Sequence, residues 1–366
     1  MDRILIEFDN VRQAMTWALD AGEGAIALDL ASEFARFSVS AERWSDALSW
    51  FERALVAAGD ARTPEEEARR LTDHGYLLFW STDQANSVDL LEQAVEIYRD
   101  LDRGNAEQDL VARYSRALLM LAVVEYYQGQ GGVRNEHFTE LVEEALQLAH
   151  RAGDSLMIAR CLGNLAHHRD PQGDEDAARQ RFAQAEEASL ATGSDSVMSR
   201  LMWQRASFEF HAGDLEQSAR AWERAIEYDE RAGLEASALV DAIGLALCQV
   251  EMGDARAGDR MVASIRSLLA LPDIRHGGAS AIYQTLLVSR AGADNAAGRF
   301  ERVGVAAGAL ASDHLAGTPV PWDKVPYFDA TVASARQALG DGTLADAKAQ
   351  GQALSQDEIA EFLIAD

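Results

Sequence analysis

The chain has 366 residues, of which 48% are hydrophobic, and a formal net charge of −27 at pH 7. The hydrophobic fraction is sufficient for a continuous core and excludes an intrinsically disordered protein. The acidic surface excludes direct nucleic-acid binding and disfavours anionic membranes, because phosphate groups are repelled. Only 6 residues are proline, and alanine and leucine are abundant, so the composition favours helix throughout.

Cysteine content and apolar patterning indicate a cellular location. Cys161 and Cys248 are the only two cysteines, too few for a disulfide framework, which fits a reducing compartment. The N-terminus lacks the basic and long apolar regions of a signal peptide. The longest apolar run, residues 117–124, is too short to cross a bilayer. We therefore expect a cytoplasmic protein without membrane contact.

Amphipathic helical runs follow one another from the N-terminus onward. The first four are predicted at residues 11–19, 25–38, 44–57 and 64–81, the last beginning at Pro64 behind a Thr63 cap. A longer helix over residues 107–128 precedes the glycine-rich segment 129–135. We interpret this segment as a tolerated loop insertion, with a ligand-binding loop as the alternative.

A repeat of 40 residues organises the middle of the chain. Gly-Asp turns occur at residues 173–174, 213–214 and 253–254, and each separates two helical runs. The second run places small, aromatic and small residues on one helical stripe, so that a neighbouring helix can approach closely. The two clearest sets are Ala178, Phe182, Ala185 and Ser218, Trp222, Ala225. Related sets are Ala47, Phe51, Ala54; Ser87, Leu91, Ala94; Phe138, Val142, Ala145; and a degenerate Gly258, Val262, Ile265.

The C-terminal region departs from this repeat. One further helix pair is predicted at residues 280–297 and 300–311, before residues 312–326, which contain three of the six prolines. Closing helices are predicted at residues 327–339, about 343–350 and 355–365. Ser355 and Glu358 have the spacing of a capping box at the start of the last one.

The repeat register resembles the tetratricopeptide repeat (TPR), in which the small–aromatic–small residues lie on the second helix. The units here have 40 residues instead of about 34. We therefore predict an all-α, TPR-like α-solenoid, a right-handed superhelix of about seven antiparallel helix pairs. The predicted divisions are residues 1–60 (N-terminal helices and first repeat), 61–312 (repeat array) and 313–366 (Pro-containing linker and capping helices).

Residues 7–18, with residues 304–310, 335–340 and 351–358, resemble the two ends of the C-terminal repeat region of bacterial STAND-class signal-transduction ATPases. That family includes LuxR-type transcriptional regulators and relatives linked to adenylate/guanylate cyclase domains. The resemblance implies a sensor and interaction arm, either truncated or free-standing. The sequence has no Gly-Lys-Ser/Thr motif, which excludes a P-loop ATPase, and we expect no helix-turn-helix after Glu358.

No nucleophile–base constellation or phosphate-binding loop is apparent, so we predict a non-catalytic binding protein that needs no cofactor. Cys161, His167 and His168 lack the four ligands of a structural zinc site, so we interpret them as a core cysteine and turn histidines, and predict no metal. The alternative function is an all-helical (α/α) barrel glycoside hydrolase, which also uses many helices, acids and tryptophans. The repeat register argues against it, because a closed ring needs no small residues at fixed offsets.

An arginine row is the most specific site prediction. The TPR register places Arg69, Arg116, Arg160 and Arg200 at the second position of successive first helices, which faces the concave groove. The residues predicted to flank them are Tyr76, Trp80, Tyr127, His167, Trp203 and His211. A guanidinium binds carboxylate or phosphate through two hydrogen bonds, which predicts an acidic protein segment, a peptide C-terminus or a small anionic metabolite inducer as partner. The alternative, which the sequence favours slightly, is that each arginine pairs with an acid on a neighbouring helix.

Overall fold

The computed structural model describes residues 7–38, 44–59, 62–80, 86–104, 106–128, 136–168, 174–254, 256–271, 274, 280–312, 315 and 325–365. Within these ranges 87% of the residues are helical, in 17 helices, and none lies in a strand. This confirms the predicted all-α, TPR-like solenoid. No helix of the described part combines the length and apolar content needed to span a membrane.

The helices are numbered here in chain order. They are α1 (Phe8–Asp20), α2 (Gly24–Ser38), α3 (Trp44–Ala58), α4 (Pro64–Trp80), α5 (Ser87–Leu101), α6 (Gln108–Gln128), α7 (Glu136–Ala152), α8 (Ser155–His167) and α9 (Glu175–Thr192). They continue as α10 (Asp195–His211), α11 (Leu215–Ala232), α12 (Glu235–Glu251), α13 (Ala257–Ala270), α14 (Ser280–Ala296), α15 (Phe300–Leu310), α16 (Val325–Gln352) and α17 (Gln356–Ile364). The helices predicted from periodicity are therefore present, with small shifts at their ends.

The Gly-Asp turns end one helix and begin the next. Gly213 has a φ of 83°, a left-handed conformation that glycine adopts without a Cβ penalty. The amide of Asp214 then donates to the carbonyl of Glu209 at 3.0 Å, and the Asp214 side chain accepts from the Gln217 amide, also at 3.0 Å. Gly253, with a φ of 88°, has the same conformation. The first predicted turn glycine, Gly173, lies outside the described residues.

The small–aromatic–small residues are buried where the repeat pattern places them. Phe182 is 1% exposed and Trp222 is 8% exposed. The small position also bonds to the preceding helix: the Ser218 hydroxyl donates to the carbonyl of Ala206 at 2.8 Å. Ser87, at the same repeat position, donates to the carbonyl of Gly75 at 2.6 Å. A small residue is thus required because the two backbones lie within reach of one hydroxyl.

The last regular repeat differs from its predicted register. In α13 the buried residues are Ala257 and Met261, whereas Gly258 and Val262 are only half-buried. Ile265 is buried as predicted. The buried stripe is therefore displaced by one residue at its start, where a flexible methionine replaces an aromatic ring as the core side chain.

Residue contacts divide the chain into two compact units. The first comprises residues 1–126, 134–201 and 228–234, and the second comprises residues 127–133, 202–227 and 235–366. The first unit contains a core around Phe34, Phe51 and Leu77, and the second contains a core around Met261 and Leu286. The boundaries expected near residues 60 and 312 remain predictions.

The C-terminal helices agree with the sequence. Gly340, with φ 79° and ψ 165°, interrupts α16 within the gap predicted between two helices. At α17 the Ser355 hydroxyl accepts from the Glu358 amide at 3.3 Å, and a Glu358 carboxylate oxygen accepts from the Ser355 amide at 2.8 Å. This reciprocal pair confirms the predicted capping box. Most of the proline-containing segment lies outside the described residues.

Candidate functional site

A cavity lined by arginines lies in the first unit. It encloses about 540 Å³ of empty space, part of it open to solvent. Helices α4, α5, α6 and α8 and the turn before α8 line it with Arg69, Thr72, Tyr98, Ala112, Arg113, Arg116, Asp154, Leu156, Met157 and Arg160. Three of the four arginines predicted to share a repeat position thus line one cavity. Among the described residues that line it, Asp154 is the single acid, and its side chain caps α8 by accepting from the Met157 amide at 3.1 Å.

Two of the predicted arginines are paired with acids of neighbouring helices. Arg69 lies 3.0 Å from Asp29 and 3.1 Å from Glu33, both on α2. Arg116, which is 8% exposed, bonds to the fully buried Asp73 on α4. For these two residues the structure contains the ion pairs that the structural alternative requires. The lining of the cavity by Arg69 and Arg116 is therefore compatible with a role in stability as well as in binding.

Arg160 differs from its neighbours. No carboxylate among the described residues lies within 4.0 Å of its guanidinium. Burial lowers the pKa of Arg160 because it penalises the charged form, and the charges of Arg116 and Arg200 lower the pKa further. Tyr76 and Asp154 act in the opposite direction. Since a guanidinium remains protonated in proteins, the cavity contains a partly buried cation without a carboxylate partner in the described chain.

The sequence analysis did not identify Arg113 or Tyr98, which also line this cavity. Arg113 lies one helical turn before Arg116 on α6 and bonds to Glu65 at 2.7 Å. Its spacing of three residues from Arg116 is the signal that could have identified it. Tyr98, which is 1% exposed, reaches the cavity from α5, and burial raises its pKa, so the phenol is neutral at physiological pH. Tyr98 belongs to the second helix of its repeat, whereas the sequence predicts groove residues on the first helices.

Arg200 and Tyr76, two other predicted site residues, lie near the arginine-lined cavity without lining it. Arg200 is exposed and close enough to Arg160 to affect its pKa, but it does not line the cavity. The Arg116 guanidinium lies 5.9 Å from the centre of the Tyr76 ring. The side chains of Trp80 and Tyr127 lie outside the described residues. The structure therefore brings Tyr76 and Arg200 near the cavity.

His167 and His168 are buried at the end of α8. His167 is 5% exposed, and its ring centre lies 4.6 Å from that of His168. His168 packs on Tyr126 at 4.3 Å, and burial lowers its pKa well below the usual range. Cys161 is fully buried and its pKa is raised mainly by burial. In the described part of the chain, no three His, Cys, Asp or Glu side chains gather as the ligands of a metal ion would.

Trp203 and His211 line a second cavity, in the second unit, here called the aromatic cavity. It encloses about 510 Å³ of empty space, part of it open to solvent. Its lining residues are Trp203, Ser207, Phe210, His211, Trp222, Val240, Gly244, Leu247, Thr285, Val288, Ser289 and Tyr327. Three arginines of the predicted row and two of its predicted flanking residues thus line two cavities of different chemistry.

Comparison with known proteins supports the fold. The sequence matches no family model. No curated protein matches it significantly. Aspartyl phosphate phosphatase F from Bacillus subtilis superimposes with a TM-score of 0.55 at 12% identity, over 86% of this chain and 71% of that one. The architecture of helical repeats is shared.

Two other solved structures are less similar. A Rap protein complexed with competence and sporulation factor gives a TM-score of 0.48 at 15% identity, over 93% of this chain and 99% of that one. A circular tandem repeat protein gives 0.22 at 15% identity, over 98% and 96%. At such identities a likeness concerns the fold alone. The relation to STAND-class regulators remains a prediction.

Proposed function

We propose that the protein is a non-catalytic binding module, and that the arginine-lined cavity of its first unit captures an anionic group. The observation that carries this proposal is the state of Arg160. Three other arginines that line the cavity each have a carboxylate partner, and Arg160 has none among the described residues. A partly buried cation without a partner is stabilised by an incoming carboxylate or phosphate.

Electrostatics restrict the kind of ligand. The chain as a whole carries a net charge of −27, so a polyanion is repelled as it approaches. The cavity offers local positive charge, with Arg116 and Arg200 near Arg160. A ligand that combines one anionic group with a neutral or basic body satisfies both conditions. A peptide with a free C-terminal carboxylate meets this description, as does a small metabolite with a single acidic group.

The hydrophobic residues beside Arg160 suit such a ligand. Leu156 and Met157 line the cavity from the first turn of α8, and Ala112 lines it from α6. They provide an apolar surface next to the guanidinium. An anionic group could therefore bind Arg160 while an adjacent aliphatic part of the ligand is removed from water.

The module is proposed to belong to a bacterial signalling or transcription-regulatory system, as its resemblance to the repeat arm of STAND-class regulators implies. The TPR-like fold supports an interaction role, since such repeats provide extended binding surfaces. The alternative, a glycoside hydrolase, has less support because its (α/α) barrel differs from the fold observed. Among the described residues, Asp154 is the one carboxylate that lines the arginine-lined cavity and none lines the aromatic cavity, whereas that chemistry needs two facing acids.

Affinity selection tests the proposal. The purified chain would be mixed with a random peptide library prepared both as free acids and as C-terminal amides, and the bound peptides identified by mass spectrometry. Free acids should be enriched at least about tenfold, since one charge-assisted pair contributes about 1.5–3 kcal/mol. Arg160→Glu combined with Arg200→Glu should remove this enrichment without changing the thermal midpoint.

The matched control is Arg220→Glu, the same charge reversal at a side chain that is 71% exposed on α11. It should retain the enrichment of free acids. Equal recovery of acids and amides by the wild-type chain would contradict the proposal, and so would enrichment that survives the double substitution. Turnover of nucleotides or glycosides by the purified chain would contradict its non-catalytic part.

A further inference from the structure

The aromatic cavity of the second unit has a chemistry of its own. Aromatic rings from three helices line it: Trp203, Phe210 and His211 on α10, Trp222 on α11, and Tyr327 on α16. Of the described residues that line the cavity, none is an aspartate, a glutamate, an arginine or a lysine. A charged ligand would therefore lose its hydration without gaining an opposite charge.

Two glycines inside helices make room for these walls. A Cβ atom on Gly244 of α12 would lie 2.7 Å from the Trp222 ring, so this indole packs directly against the backbone of α12. A Cβ atom on Gly292 of α14 would lie 2.2 Å from the Tyr327 hydroxyl. Glycine is unfavourable in the middle of a helix. Its presence at both contacts allows the two rings to reach positions that alanine would block.

Contacts with neighbouring side chains fix the position of the Tyr327 ring in the cavity lining. The Tyr327 hydroxyl donates to Glu251 at 2.6 Å, and its ring meets Phe210 in a T-shaped contact at 5.3 Å. Burial raises the pKa of Tyr327, and the Glu251 carboxylate raises it further, so this wall is a neutral phenol at physiological pH. Held rings reduce the conformational entropy that a ligand must overcome on binding.

Hydroxyl groups complete the lining. Thr285 and Ser289 lie one turn apart on α14, and Ser207 lies on α10, all facing the same cavity. A hydroxyl can donate or accept one hydrogen bond without a formal charge. The cavity thus combines aromatic faces, which stack with a flat ring, and neutral groups that can bond to the edge of that ring.

We propose that the aromatic cavity binds a small, neutral aromatic molecule that carries a hydrogen-bonding group. Saturated rings lack the π face that the walls select. Charged rings lack a counter-charge. The inference does not depend on the arginine-lined cavity, whose ligand is anionic.

Isothermal titration with 2-naphthol tests this inference. One molecule should bind per chain, and two relatives of similar size should bind at least tenfold more weakly: 2-naphthoate, which is charged, and 2-decalol, which is saturated. Absence of saturable 2-naphthol binding, or equal binding of either of these two relatives, would overturn the proposal.

Substitutions then locate the site. Thr285→Phe fills the cavity and should weaken 2-naphthol binding at least tenfold. Ala296→Phe, at an exposed position on the same helix, should leave it unchanged, as should Arg160→Glu. Trp203→Phe retains a ring and should retain binding, with a smaller change in tryptophan fluorescence. If Thr285→Phe unfolds the protein, the Trp203→Phe result decides, and a fluorescence change equal to that of the wild type would place the ligand elsewhere.

Discussion

The contrast between Arg116 and Arg160 yields a quantitative prediction about stability. Arg116 and Asp73 form an ion pair in which Arg116 is 8% exposed and Asp73 is fully buried. Arg116→Met preserves most of the aliphatic volume but leaves the buried carboxylate without its cation. Removing one partner of such a pair costs about 3–5 kcal/mol of unfolding free energy.

Arg160→Met should behave differently. It removes a partly buried charge that has no carboxylate partner among the described residues, and it keeps a side chain of similar length. The unfolding free energy should therefore stay within about 1 kcal/mol of the wild-type value, because lost packing is offset by relief of desolvation.

Urea unfolding followed by circular dichroism at 222 nm measures both effects. The double variant Asp73→Leu/Arg116→Met provides the control, since replacing a whole buried pair by apolar residues is often neutral. It should recover much of the stability that Arg116→Met loses. If Arg160→Met costs as much as Arg116→Met, Arg160 is a structural residue and the binding role is wrong. If Arg116→Met is neutral, the reasoning about the buried pair fails.

Two further predictions concern the packing of Trp222 against α12 and the carboxylates at the start of α4 and α17. Gly244→Ala should lower the unfolding free energy by about 1–3 kcal/mol, because its Cβ atom would clash with the Trp222 ring. Gly258→Ala, with open space around it, should be neutral or stabilising by up to about 1 kcal/mol. Thermal unfolding of the two variants checks this, and equal midpoints would contradict it. Hydrogen bonds from Thr63 and Ser355 lower the pKa values of Glu66 and Glu358, so the stability these carboxylates contribute is present above pH 4.5 and lost as pH falls through their lowered values. Glu66→Gln with Glu358→Gln should therefore reduce the acid sensitivity of unfolding in a pH titration, and an unchanged profile would argue against that contribution.

The two cavities differ in the chemistry of their lining residues. The first unit presents guanidiniums from first helices at one repeat position, and the second unit presents aromatic rings and hydroxyls. In a repeat fold the buried residues are constrained by packing, while the residues that line a surface cavity are free to vary. In both of our proposals the charge of the lining residues selects the ligand.

Part of the candidate site was predictable because repeat position determines location. Arg69, Arg116 and Arg160 share one position of the repeat, and all three line the same cavity. Their ion pairs were not predictable individually. Asp73, the partner of Arg116, is 43 residues away in sequence, and Asp29, a partner of Arg69, is 40 residues away. Each pair forms only when consecutive repeats pack, so sequence alone does not show which arginine remains without an acid.

The sequence by itself determined the helical repeats, their 40-residue period, the glycine-aspartate turns and the buried small–aromatic–small stripe, because each follows from local backbone preference and periodicity. Only the tertiary structure decided which charged and aromatic side chains line the same cavity. It placed Trp203 and His211 in a cavity of the second unit. The arginines that they were expected to flank line a different cavity, in the first unit. It also shifted the buried stripe of α13 by one residue. Such outcomes depend on packing between helices distant in sequence, where close packing decides which side chain fits.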